Sequence, residues 1–197
     1  MISRLKGTLL RKTPDRVEVE TPGGVVYEAD VPLTVFRRLP AEGAALELRT
    51  LQVVREDSAA LYGFLDAVER ELFRRLLGAK GVGAKLALAM LSTYDAPRLA
   101  RALVEKDITA LKQVSGVGQK TAQRLALELG DKVGDLAVAA APGVASKGAG
   151  PGAQEAVSAL VALGYTFGDA DDAVRAVLKA GDVASTDELI RKALQVR

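Results

Sequence analysis

The chain has 197 residues, 49% hydrophobic and 26% charged, which is the balance of a globular protein rather than a disordered tail or a fibre, and its length suits two or three small domains. Cysteine and histidine are both absent, which excludes a disulfide framework, Cys or His metal sites, a thiol nucleophile and an imidazole base. The net charge of +2 hides an uneven spread: residues 1–63 carry 9 Lys/Arg against 9 Asp/Glu, residues 64–134 carry 12 against 8, and residues 135–197 carry 6 against 8, so the middle is where a polyanion would bind.

The opening residues lack the apolar core of a signal peptide, and no run approaches the roughly 20 apolar residues of a spanning helix, so the chain reads as cytoplasmic with no membrane contact. Residues 17–20 alternate apolar and polar side chains, Gly23-Gly24 is a turn signal, and strand-like runs follow at 25–31 and 46–54; together with residues 2–10 and 60–64 they predict about five short strands. A small closed or partly open barrel over residues 1–63 leaves the fewest bare edges, with a short helix over residues 33–39 between strands. Arg55, Glu56 and Asp57 then fall at the tip of a hairpin, where adjacent charges commonly mark a solvated turn.

From Asp66 the period becomes helical, with Leu72, Phe73, Leu76 and Leu77 on one stripe and further helical runs at 86–91, 99–104 and 121–129, which predicts an all-α domain over residues 64–136. Residues 137–153, rich in Ala and Gly, offer no side chains for a core and read as a flexible linker. Runs at 154–163, 169–180 and 186–196 predict three short helices over residues 154–197, the last opened by Ser185 with Glu188 in capping-box spacing. Leu160, Leu163, Val174, Val177, Leu189 and Leu194 recur at helical spacing and are either the core of that small domain or a docking surface.

Within the helical domain a repeat carries the chemistry. Gly81-Val82-Gly83-Ala84-Lys85 and Gly116-Val117-Gly118-Gln119-Lys120 share a Gly-Val-Gly-x-Lys core at an offset of 35 residues, and Phe73 and Leu76 map onto Ile108 and Leu111 at the same offset. Two glycines around one buried Val bring the main chain close to a partner, and the following helix presents unpaired N–H groups at its start, a combination that suits phosphate. Lys85 and Lys120 add charge beside those amides, Thr121 follows Lys120, and Arg124 lies one turn further along the second helix. A Gly-x-Gly between helices can also be a tight connection alone. A P-loop is excluded, because that pattern needs Gly at 119 and 114, where Gln119 and Val114 stand.

The paired turns look like tandem helix-hairpin-helix motifs, and the order of barrel, tandem hairpins, linker and three-helix tail resembles the RuvA family of Holliday-junction-binding proteins. Local wording carries the resemblance: Met1-Ile2 with Leu5 and Gly7, Val54-Arg55-Glu56-Asp57 leading into Leu61-Tyr62-Gly63-Phe64, Lys85-Leu86-Ala87-Leu88 after the first turn, and Ala159-Leu160-Val161-Ala162-Leu163-Gly164-Tyr165 in the tail. It implies a multi-domain α and β architecture of OB-like barrel, tandem helix-hairpin-helix domain and small three-helix domain. It implies a non-catalytic subunit, without cofactor, metal or catalytic residues, that binds four-way junction DNA through duplex arms without reading sequence. It further implies a homotetramer, singly or in pairs, that recruits the hexameric ATPase RuvB, and association with the RuvC resolvase.

By the same resemblance Glu56 and Asp57, with Arg55, form an acidic pin at the junction centre, and Leu160, Leu163 and Tyr165 contact the motor. Many members have Pro and Lys where this chain has Ser115 and Gln119, which implies one fewer phosphate-facing charge on the second hairpin. Two other readings fit helix-hairpin-helix turns: a DNA repair nuclease or glycosylase, and a scaffold whose glycine turns pack only against protein.

Overall fold

Val17 and Val19 are buried while Glu18 and Glu20 point away from the core, the period-2 pattern that turns the first third of the chain into strands. The computed structural model of the chain describes residues 1–139, 152–165, 167–180 and 185–195. Strands β1 (Arg4–Thr13), β2 (Arg16–Glu20), β3 (Val26–Asp30), β4 (Ala45–Val54) and β5 (Ala59–Phe64) close into a barrel in the order β1-β2-β3-β5-β4. All neighbours are antiparallel except β3 and β5, which meet in parallel at Asp30 and Tyr62. Long β1 serves two partners, pairing with β4 over its first half and β2 over its second. Gly7 makes this overlap possible, because a Cβ there would lie 1.9 Å from the Glu20 carbonyl oxygen. Leu5, Leu9, Val17, Val19, Val31 and Leu48 fill the barrel.

Helix α1 (Leu33–Phe36) is shorter than the predicted 33–39 and ties the barrel to the helical domain. The Leu33 N–H donates to Ser92 Oγ at 3.0 Å, and Thr34 Oγ1 donates to the Leu91 carbonyl at 2.6 Å. Beside it, Arg38 pairs with the buried carboxylate of Glu69 and lies 3.7 Å from Asp66. These two acids begin α2 (Ala67–Leu77) as a reciprocal capping box, with the Glu69 N–H donating to Asp66 Oδ1 at 2.8 Å. Tyr62 and Phe64 of β5 pack on Phe73 with ring centroids 4.8 and 5.1 Å apart, so barrel wall and first helix share one apolar seam.

The helical domain continues through α3 (Ala84–Thr93), α4 (Ala96–Val104), α5 (Ile108–Leu111), α6 (Gln119–Leu129), a 3₁₀ turn Gly130–Lys132 and α7 (Gly134–Ala139) around Leu72, Leu76, Met90, Leu99, Leu103 and Leu125. The expected linker start at 137 falls inside α7, because Leu136 and Ala137 are buried beside Val133 and Arg75 grips Asp135 with both guanidinium ends at 2.5 and 2.9 Å. Residues 140–151 of that linker lie outside the described residues. In the tail, α8 (Ala153–Ala162), α9 (Phe167–Ala180) and α10 (Thr186–Ala193) pack around Ala156, Leu160, Val174 and Leu189, and Ser185 Oγ accepts the Glu188 N–H at 3.2 Å. No helix among the described residues is long and apolar enough to cross a membrane.

Candidate nucleic-acid interface

The two Gly-Val-Gly turns are copies in three dimensions. Gly81 and Gly116 sit at φ of +75° and +87°, a left-handed conformation that a side chain would strain. One residue on, Val82 and Val117 are buried, and each N–H donates back three residues, to Ala79 at 3.1 Å and Val114 at 3.0 Å. Gly83 and Gly118 then start α3 and α6 from nearly identical extended backbone, with φ/ψ of −88°/170° and −87°/176°. The copies differ in the leading helix: α2 has 11 residues, whereas α5 has only 4. That single turn is bounded by Asp107, which accepts the Ala110 N–H at 2.9 Å directly after the left-handed Lys106.

The starts of α3 and α6 differ chemically from those of α2, α4, α5 and α10. Helices α2, α4 and α5 are each capped by an aspartate, and α10 by Ser185. Gly83 and Gly118 supply no side-chain cap, and neither helix has an acid in its first turn. The first N–H groups of both helices are therefore left for an external acceptor, with the positive end of the helix dipole behind them. Lys85 and Lys120 stand exposed beside these ends and have no ion-pair partner among the described residues. The arrangement offers main-chain amides plus a mobile ammonium group, twice, on one domain, which fits two phosphates of a duplex backbone.

Of the expected contact residues, Gly81, Gly83, Lys85, Gly116, Gly118, Gln119, Lys120 and Arg124 are exposed, and Thr121 is half-buried. The Ala84 methyl is buried in the helical core, which leaves only its main chain to meet a partner. Arg124 also stands elsewhere than the spacing suggests. Its guanidinium lies against the first turn, where a Cβ on Gly81 would be 3.0 Å from Nη2, so a side chain of the second hairpin serves the first. One turn on, the Glu128 carboxylate accepts the Lys80 N–H at 3.2 and 3.3 Å. Sequence reasoning missed Glu128 and Lys80: at the repeat offset Arg124 and Glu128 fall opposite Ala89 and Thr93, so duplication gives no hint of either. Their shared helical face, four residues apart, was the one signal present.

Arg55, Glu56 and Asp57 are exposed at the β4–β5 hairpin, where the Arg55 N–H donates to the Ser58 carbonyl at 2.7 Å and closes the turn. In the tail the three expected motor contacts separate. Leu163 is 63% exposed and Tyr165 half-buried, but Leu160 is only 1% exposed. Leu160 is a correction: it points between the three helices, where helical spacing alone looks the same as a surface stripe. No group of three or more acidic, Cys or His side chains among the described residues is placed to hold a metal ion.

Family comparisons match the same three parts. Residues 1–63 match the RuvA N-terminal domain, residues 73–131 a SAM-like tandem helix-hairpin-helix, and residues 151–196 the RuvA C-terminal domain. The Holliday junction branch migration complex subunit RuvA of Gemmatimonas aurantiaca is 47% identical over 98% of this chain and 97% of its own length. The chain belongs to the RuvA family. The subunits of the same name from Opitutus terrae and Laribacter hongkongensis are 47% and 45% identical, again over 98% of this chain. Membership agrees with the closed barrel and duplicated hairpins, and it accounts for a RuvA-type order of domains in a chain with neither Cys nor His.

Proposed function

We propose that this chain is the DNA-binding subunit of a Holliday junction branch migration complex, acting in recombination and repair. The observation that carries the reading is the pair of Gly-Val-Gly turns with matching backbone angles, each followed by a helix start without a side-chain cap and by a lysine with no ion-pair partner among the described residues. Each turn takes a phosphate of a duplex arm, and because the donors are amides and ammonium groups rather than groups facing base edges, binding is independent of sequence. Four copies of the chain present four such domains to the four arms. The Glu56 and Asp57 tips meet at the centre, where their negative charge repels the backbones of exchanging strands and keeps them apart.

The subunit supplies no catalysis of its own. The tail recruits the RuvB ATPase through Leu163 and Tyr165 at the end of α8, with Leu160 holding the domain together from inside, and RuvC joins the same assembly. Nothing observed favours the nuclease, glycosylase or scaffold readings. The test is a gel shift of a synthetic four-way junction against linear duplex of equal length at several salt concentrations. Strong preference for the junction, with affinity falling steeply as salt rises, is expected. Equal affinity for the two DNAs would refute the proposal.

A further inference from the structure

We infer that Glu128 is a positioning residue for the first hairpin, holding the turn of one motif from the helix of the other. This rests on the phosphate-binding reading above and deepens it.

Helix α6 leaves the second turn, yet Arg124 and Glu128 on one of its faces both reach the first turn. The Glu128 carboxylate takes the Lys80 N–H on both oxygens, at 3.2 and 3.3 Å. Lys80 immediately precedes Gly81, whose φ of +75° sets the direction of the main chain into Gly83 and the start of α3. Anchoring that N–H fixes the approach to the bend, and with it the aim of the free amides beyond. Arg124 completes the arrangement by placing a guanidinium over Gly81.

An acid this near a phosphate site is unexpected on electrostatic grounds, since its charge opposes a polyanion. The hydrogen bond it accepts from the Lys80 N–H gives it a structural role at that position. Charge and hydrogen bond make opposite predictions, and that separates them. If Glu128 acted through charge alone, Glu128→Ala and Glu128→Gln would both bind a junction more tightly. As a positioning residue, Glu128→Gln keeps an acceptor for the Lys80 N–H while removing the repulsion, and Glu128→Ala frees the turn.

The experiment measures junction affinity of the full chain across a salt series for Glu128→Ala, Glu128→Gln, Lys85→Ala and Lys120→Ala, with a thermal unfolding curve for each. Glu128→Ala is expected to bind about five-fold more weakly than the parent, as fits loss of one hydrogen bond, despite losing a negative charge. Glu128→Gln is expected to match or exceed the parent. Both keep the parental salt slope, because neither side chain touches phosphate, whereas Lys85→Ala and Lys120→Ala each lower the slope by about 1.

Equal affinities for the Ala and Gln variants, whether raised or lowered together, would overturn the positioning role while leaving the phosphate reading intact. Unchanged slopes in both lysine variants would overturn the phosphate reading itself. The contact lies on the surface, so all four variants fold, and an unfolding midpoint near the parent's confirms that a weaker Ala variant is not an unfolded one.

Discussion

Lys106 shows how much a single residue position can carry. Helix α4 ends in a Schellman motif: the Lys106 N–H returns to the Leu103 carbonyl at 3.3 Å and the Asp107 N–H to Ala102 at 2.9 Å. The geometry requires φ of +53° at Lys106, where glycine is the usual residue and a Cβ is strained. Lys106→Gly is therefore expected to stabilise the helical domain by about 0.5–1 kcal/mol, read as a higher unfolding midpoint. At this scale the sequence was only partly legible. The turn glycines announced themselves because duplication repeats them, whereas Lys106 in a left-handed conformation has no sequence signature. Leu160 and Leu163 show the same limit, since three residues along a helix separate a core side chain from an exposed one and only the packing of α9 and α10 decides between them.

Among elements, the joint between barrel and helices turns on one buried acid. Burial and the neighbouring Asp66 carboxylate push Glu69 up from the ordinary 4.5 to about 7, against the pull of Arg38 and of the Leu65 and Asp66 amides. A carboxyl whose folded value is raised lends its full stability below 4.5, and that contribution is lost as pH rises through about 7. The stability of the parent relative to Glu69→Gln is accordingly expected to fall between pH 4.5 and pH 7.5, by up to about 3 kcal/mol, in parallel urea unfolding series. A difference that does not vary with pH would show that Glu69 stays ionised throughout.

The elements themselves were largely visible in advance. Strand alternation is clean where a strand has one wet face, as where Val17 and Val19 alternate with Glu18 and Glu20, and is lost in β5, which is buried on both faces from Leu61 to Phe64. The end of the helical domain was less visible. Small residues that look like linker, such as Ala137, become core once Arg75 and Asp135 clamp α7 against α2.

At the scale of the whole molecule the barrel and helical domain share contacts that the tail does not. Tyr62 and Phe64 belong to the same apolar cluster as the helices, whereas the tail has its own core of Ala156, Leu160, Val174 and Leu189. Deleting residues 154–197 is therefore expected to leave junction affinity within about two-fold and to abolish association with the motor ATPase, checked by gel shift and by co-sedimentation. Retained ATPase association would place the docking surface outside the tail.

The seam of Leu33, Thr34, Arg38 and Glu69 bears on how such an assembly transmits force. Two hydrogen bonds and an ion pair cross it, and the packing of Tyr62 and Phe64 on Phe73 joins barrel and helices a second time. On the proposed function, a pull on duplex held at the turns would pass through this seam into the barrel that carries the acidic tip.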